Sequence, residues 1–200
     1  MREFARRAAL VTGVLGAAIG LTTTTASATA TLSWHVAPSG PFTAHAVYPT
    51  LTVPAATFPC VSSDVTAGTL AATSATGNGI GNINNIKFTT CKIGATDFAM
   101  TMKVTPWKID VAAINVTNPQ WVDGKISSVS AHIKGSACDV DLTGTIPVHY
   151  ENDTGNLVLP GTGTTLIASS ASCYNLIKNG DVVKLKATYA VSTHPSVTTP

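Results

Sequence analysis

Apolar and polar residues alternate with period two over much of this chain, and the longest clean run is CDVDLTGTIPVHYE, Cys138 to Glu151. Its even positions are apolar or glycine: Cys138, Val140, Leu142, Gly144, Ile146, Val148 and Tyr150. Its odd positions are polar apart from Pro147. Period two places one face in a core and one in water, as in a half-buried antiparallel strand. Gly144, in the middle of so long a run, predicts a bend and a handover between sheets.

The same pattern recurs on both sides. Thr29 to Val36 and Phe42 to Val53 read as two strands around a Pro38-Ser39-Gly40 turn. Thr57 to Ala72 adds one or two short strands, and Gly77-Asn78-Gly79-Ile80-Gly81 reads as a turn before the segment Ile83 to Cys91. A nucleotide-binding loop would need a helix after those glycines, and the β-branched and aromatic segment Ile86 to Thr90 follows instead. Phe98, Met100, Met102 and Val104 share one parity, which flips across Thr105-Pro106 to Trp107, Ile109 and Val111. A parity flip at a proline predicts a bulge or corner.

Trp121 to Lys134 ends in Val129, Ala131 and Ile133 on one face. Lys134-Gly135-Ser136-Ala137 then predicts a two-residue hairpin turn with glycine first. That register sets Ile133 against Cys138, Ala131 against Val140 and His132 against Asp139. After the Asn152–Gly155 turn, Tyr150 is expected to face Leu157. Ser170 to Lys178 is the one helical candidate, since Cys173, Leu176 and Ile177 fall at helical spacing before Asn179-Gly180. Val182 to Val191 alternates again, and Ser192 to Pro200 reads as a flexible tail. These elements predict an all-β fold, an antiparallel β-sandwich or barrel with one short helix and two disulfides.

The first 28 residues carry a different signal. Arg2, Arg6 and Arg7 precede the apolar run Ala8 to Leu21 and an Ala26-Ser27-Ala28 cleavage site, the layout of a secretory signal peptide. The apolar run is too short to span a bilayer. The residues around Arg6-Arg7 favour the general secretory route over the twin-arginine one. The expected organisation is a signal at 1–28, one β domain at 29–191 and a tail at 192–200, with a secreted, extracellular product.

Charge and cysteines narrow the partners. Of 12 basic and 10 acidic residues, the signal holds three and one, so the mature chain carries nine of each. A neutral domain has no net field with which to recruit nucleic acid or anionic lipid. The four cysteines in an exported chain predict two disulfides, with three connectivities open. The sequential one, Cys60–Cys91 and Cys138–Cys173, is preferred because it is local. No C-x-x-C spacing suggests a metal, and no cofactor motif occurs.

The turn at residues 77 to 81, the strand end Phe88-Thr89-Thr90-Cys91, Pro106-Trp107, the turn at 152 to 155 and the Cys173 segment resemble a group of small secreted β-rich proteins of high-GC Gram-positive bacteria. The resemblance covers nearly all of the chain after the signal and implies a secreted β fold, with no activity to carry over.

Chemistry-bearing residues are few. His132, Asp139, Asp141 and His149 share the polar face of adjacent predicted strands, a catalytic or metal-binding candidate weighed against plain cross-strand ion pairing. Ion pairing is the preferred reading because no nucleophile joins them. G-x-S-x-G and H-E-x-x-H are absent, and Glu151 is the one glutamate after the signal. The L-P-x-T-G match at Leu159 to Gly163 precedes a further strand, so it reads as a strand-to-turn transition rather than a wall-sorting signal. Phe98, Met100, Met102 and Trp107 are candidates to line an apolar cavity, against plain core. The expectation is an extracellular binding or surface-interaction module, ahead of a carrier of an apolar molecule and, third, a secreted hydrolase; the balance leans away from an enzyme.

Overall fold

Alternation forces one face of each segment inward, and the inward faces here meet inside a closed ring of strands. The structure, a computed structural model, describes residues 33–199. The expected signal peptide and its cleavage site lie outside the described residues. In chain order β1 (Trp34–Ala37), β2 (Gly40–Val47), β3 (Thr50–Val53) and β4 (Ala56–Pro59) lead into β5 (Ser62–Leu70), β6 (Thr73–Ser74) and β7 (Gly81–Thr89). β8 (Cys91–Ile93), β9 (Thr96–Met102) and β10 (Trp107–Ile114) follow, then the two longest strands, β11 (Trp121–Gly135) and β12 (Cys138–Glu151). β13 (Asn156–Pro160), β14 (Leu166–Cys173), β15 (Val182–Val191) and β16 (Ser196–Thr198) complete the order.

Strands β11, β12, β13, β15, β2, β5, β7 and β10 pair in that cycle, and β10 returns to β11. Every ladder is antiparallel, so the choice between sandwich and barrel falls to a closed barrel at this end. At the other end the neighbours change. β9 takes the place of β10 beside β11, β14 that of β13 beside β12, and β3 that of β2 beside β15. β4 and β8 add to β3 and β9 but share no ladder with each other. There the disulfide Cys60–Cys91 joins the end of β4 to the start of β8. The second disulfide, Cys138–Cys173, links a cross-strand pair of β12 and β14.

The corner expected at Thr105-Pro106 is where β9 hands over to β10 along one edge of β11. The Lys103 amide and the Trp107 indole both donate to Ser130 O there, at 2.9 and 3.2 Å. Val104 lies past the end of β9 and is exposed. The bend at Gly144 also stands: its φ is +145°, and a Cβ would collide with the Thr165 carbonyl. Thr165 occupies the gap between β13 and β14, its amide donating to Thr145 O at 3.0 Å.

Three expectations change. The β11–β12 hairpin is two residues out of the expected register: Gly135 pairs with Cys138, and Ile133 faces Val140. Gly135 is used for close approach rather than for the turn, since its Cβ position lies 3.3 Å from both Asp97 O and Phe98 Cβ of the neighbouring β8–β9 hairpin. A shift of two preserves every side chain's face, so the core is unaffected.

No helix forms over 170–178. Pairing with β12 draws 166–173 into β14, and Tyr174 and Asn175 then take left-handed φ of +49° and +58°, which a right-handed helix cannot continue. Cys173 and Ile177 are still buried, as the spacing implied, but through a turn.

The tail expected from Ser192 is held. β16 pairs with β1, the Asn152 side chain exchanges two hydrogen bonds with the Val197 backbone (2.9 and 2.7 Å), and Tyr150 Oη donates to Pro195 O at 2.6 Å. With β6, these strands form a small sheet that contributes Trp34, Val36 and Val197 to the core.

Candidate functional site

The inward residues of the ring fill it. Phe42, Ile83, Trp107, Ile146, Leu185 and Tyr189 are among twelve side chains around a void of about 10 Å³, enough for one water at most. Tyr189 Oη is satisfied inside by Ser63 Oγ at 2.8 Å. Phe98 packs edge-on against Phe58 with centroids 6.3 Å apart, Met100 is buried beside it, and Met102 is partly buried at the strand end. Trp107 stands in the ring wall. The four cavity candidates are thus placed as packing.

The outer face of β11 and β12 carries His132, Asp139 and Asp141. Because of the shifted register, His132 lies opposite Asp141 and Lys134 opposite Asp139. His132 Nδ1 is 2.8 Å from Asp141 Oδ1, and Nε2 is 3.6 Å from Asp139 Oδ1. Lys103 Nζ donates to Asp141 Oδ2 at 2.8 Å, and Lys134 Nζ closes on Asp139 Oδ2. The row runs Lys103, Asp141, His132, Asp139, Lys134, with each carboxylate between the imidazole and a lysine. The Lys103 hydrogen bond, followed by that of His132, holds the Asp141 carboxyl below the usual range, and Lys134 does the same for Asp139.

Both imidazole nitrogens face carboxylates, so neither is aimed at a ligand. Ser169 and Ser172 of β14 lie opposite Asp141 and Asp139, on the far side from the imidazole. This is a cross-strand ion ladder on a wet face.

His149 is not part of it. It pairs with Asp123 farther along β12, stacks on Trp121 with centroids 4.6 Å apart, and lies 3.4 Å from Glu151 Oε1. Trp121 Nε1 is buried with no hydrogen-bond partner among the described residues. Among the described residues, no three His, Cys, Asp or Glu side chains are placed to share a metal ion.

The glycine turn is committed to the fold as well. Gly79 N donates to Asp110 Oδ1 at 2.7 Å, and Ser127 Oγ donates to Asp110 Oδ2 at 2.5 Å, so a buried aspartate takes the amide that a phosphate would need. The Leu159 to Gly163 motif is the end of β13 and the bend after it.

A further site was missed in the sequence. β15 pairs with β2 at Ala190↔His45 and with β3 at Lys186↔Thr50. The rung between them, Val47 with Thr188, is not made. Two residues, Tyr48 and Pro49, stand on one side of the break against one, Ala187, on the other, a bulge that spreads the strands. Ser192 N donates to Thr43 O and Val191 N to Gly155 O, so residues of even number on β15 turn their backbone groups toward β2. Thr188 and Val47 therefore face the break. Tyr48 holds φ +51°, and its side chain is 75% exposed, with Val47 at 62% and Val61 at 51%. Val47 and Tyr48, together with Thr50, Lys186, Ala187 and Thr188, border an open groove of about 500 Å³.

The chain matches no family model, no curated protein and no solved structure.

Proposed function

We propose that the protein is a secreted extracellular binding module that engages a surface partner through the groove at the β2–β3 bulge. The observation that carries this reading is Tyr48, an aromatic side chain left three-quarters exposed by a bulge and flanked by exposed Val47 and Val61. A large apolar side chain held in solvent on a disulfide-stapled barrel is characteristic of an interaction site. Export fits the signal-like N-terminus and the two disulfides, and the likeness to small secreted β-rich proteins points the same way.

Two alternatives have weaker support. A carrier needs interior space, and the apolar voids along the ring are about 10 and 40 Å³, room for a few waters at most. A hydrolase needs a free general base, and both nitrogens of His132 face carboxylates.

The test is retention of the purified mature protein on the outer surface of the producing cells, read by sedimentation. The parent is expected to sediment with the cells and Tyr48→Gly to stay in the supernatant, while His132→Thr behaves as the parent. Equal recovery of Tyr48→Gly and parent with the cells would reject the groove. An apolar small molecule seen by native mass spectrometry on protein purified from culture medium would favour the carrier.

A further inference from the structure

We infer that the opening between β2 and β15 is a saccharide-binding site, an inference that rests on the binding-module reading and names its ligand class. Val47 and Thr188 form a missing rung flanked by made ones, Ala190↔His45 above and Lys186↔Thr50 below. The N–H and C=O of both residues face the groove, so two donors and two acceptors converge within one rung.

A ligand matching this set must donate and accept over a few ångströms, as the adjacent hydroxyls of a sugar ring do. Thr50 and Thr188 add hydroxyls at the border, and Lys186, which makes no ion pair among the described residues, adds a cationic donor. Tyr48 supplies an apolar ring face on which the C–H face of a pyranose can stack. The left-handed backbone at Tyr48 is an uncommon state for a non-glycine residue, retained where it aims the side chain.

The geometry disfavours an extended peptide. Strand addition requires a run of open rungs, and here the ladder resumes on either side of one. Lys186, with Lys184 two residues along the same exposed face, belongs to a chain whose charges balance after residue 28, so no net field favours a polyanion. A neutral or N-acetylated oligosaccharide, approached from solvent and gripped at one or two rings, is the class that fits.

The experiment uses the full mature protein on an array carrying chito-, cello-, xylo-, manno- and galacto-oligosaccharides, followed by calorimetric titration of the best ligand. Binding to at least one series is expected. Tyr48→Phe should keep the affinity within about threefold, because the ring face is retained. Tyr48→Gly, which accepts the positive φ, should weaken it by about tenfold or more. Thr188→Val, which keeps the β-branched shape, should weaken it by a smaller factor.

No binding anywhere on the array, or equal affinity of Tyr48→Gly and parent, would overturn the saccharide assignment. Retention on cells that is lost after protease treatment of the cells but survives periodate oxidation would also overturn it, and would leave the binding module with a protein partner. Failure of the parent to sediment with cells, together with no array binding, would remove both readings.

Discussion

His132 shows how a side chain with catalytic chemistry is neutralised by its neighbours. Carboxylates stand at both ring nitrogens, and each carboxylate is itself paired with a lysine. Replacing His132 with Thr keeps a good strand former, so stability should change by less than about 1 kcal/mol in chemical denaturation. Lys103 has the larger effect on Asp141. In Lys103→Ala the Asp141 carboxyl should titrate nearer the ordinary aspartate range, visible in its carboxyl carbon shift by NMR. The sign of the linkage follows. A carboxylate with a depressed folded-state pKa adds stability above its unfolded pKa and loses that contribution as pH falls through the folded value. Stability should therefore decline below about pH 4, and less so in Lys103→Ala. A flat acid limb in the parent would contradict the ladder.

Strands β2 and β9 each hand over to the next strand at a proline. β11 and β15 each receive two successive strands along one edge, with a proline between them at Thr105-Pro106 and Tyr48-Pro49. Both breaks are readable as parity. Phe98 and Met100 give way to Trp107 and Ile109, and Phe42, Ala44 and Ala46 give way to Leu51 and Val53. The first flip is marked by Thr105-Pro106, whereas the second lies inside the segment Phe42 to Val53, which reads as one strand and so hides the groove. β12 bends instead at Gly144, where φ is positive and Thr165 crosses. Gly144→Ala should cost on the order of 3 kcal/mol, from left-handed strain and backbone collision together. An alanine variant that melts with the parent would remove that account of the bend.

For the whole molecule, the ladders close the barrel at one end and Cys60–Cys91 joins the unladdered seam at the other. Replacing both of these cysteines with alanine should lower stability by about 3.7 kcal/mol, the loop-entropy value for a separation of 31. Protease cutting should then begin near β4 and β8. Burial pushes the Tyr150 and Tyr189 hydroxyls well above their ordinary range, while hydrogen bonds from Ser136 and Thr96 draw Tyr174 down. A raised folded-state pKa contributes stability in full below about pH 10 and loses it as pH rises toward the folded value. Phenolate absorbance should thus show Tyr174 ionising in the folded protein, and Tyr150 and Tyr189 only with alkaline unfolding. Ionisation of Tyr189 before the fold is lost would mean that the Ser63 contact opens to solvent.

Local pattern alone determined that the chain forms strands, where most of them lie and which face of each is buried, and it favoured the local cysteine pairing among three open ones. Those properties depend on period-two alternation and on short-range loop closure, both written in neighbouring residues. Tertiary structure decided the hairpin register, since Gly135 serves the approach of the β8–β9 hairpin rather than its own turn. It also turned a helical spacing into a strand, because Cys173 is held by β12, and turned a polar tail into β16, because Asn152 and Tyr150 supply its hydrogen bonds. The groove belongs to the same class. An unmade rung depends on how two strands distant in sequence diverge around one bulge, and no residue on either strand encodes that divergence alone.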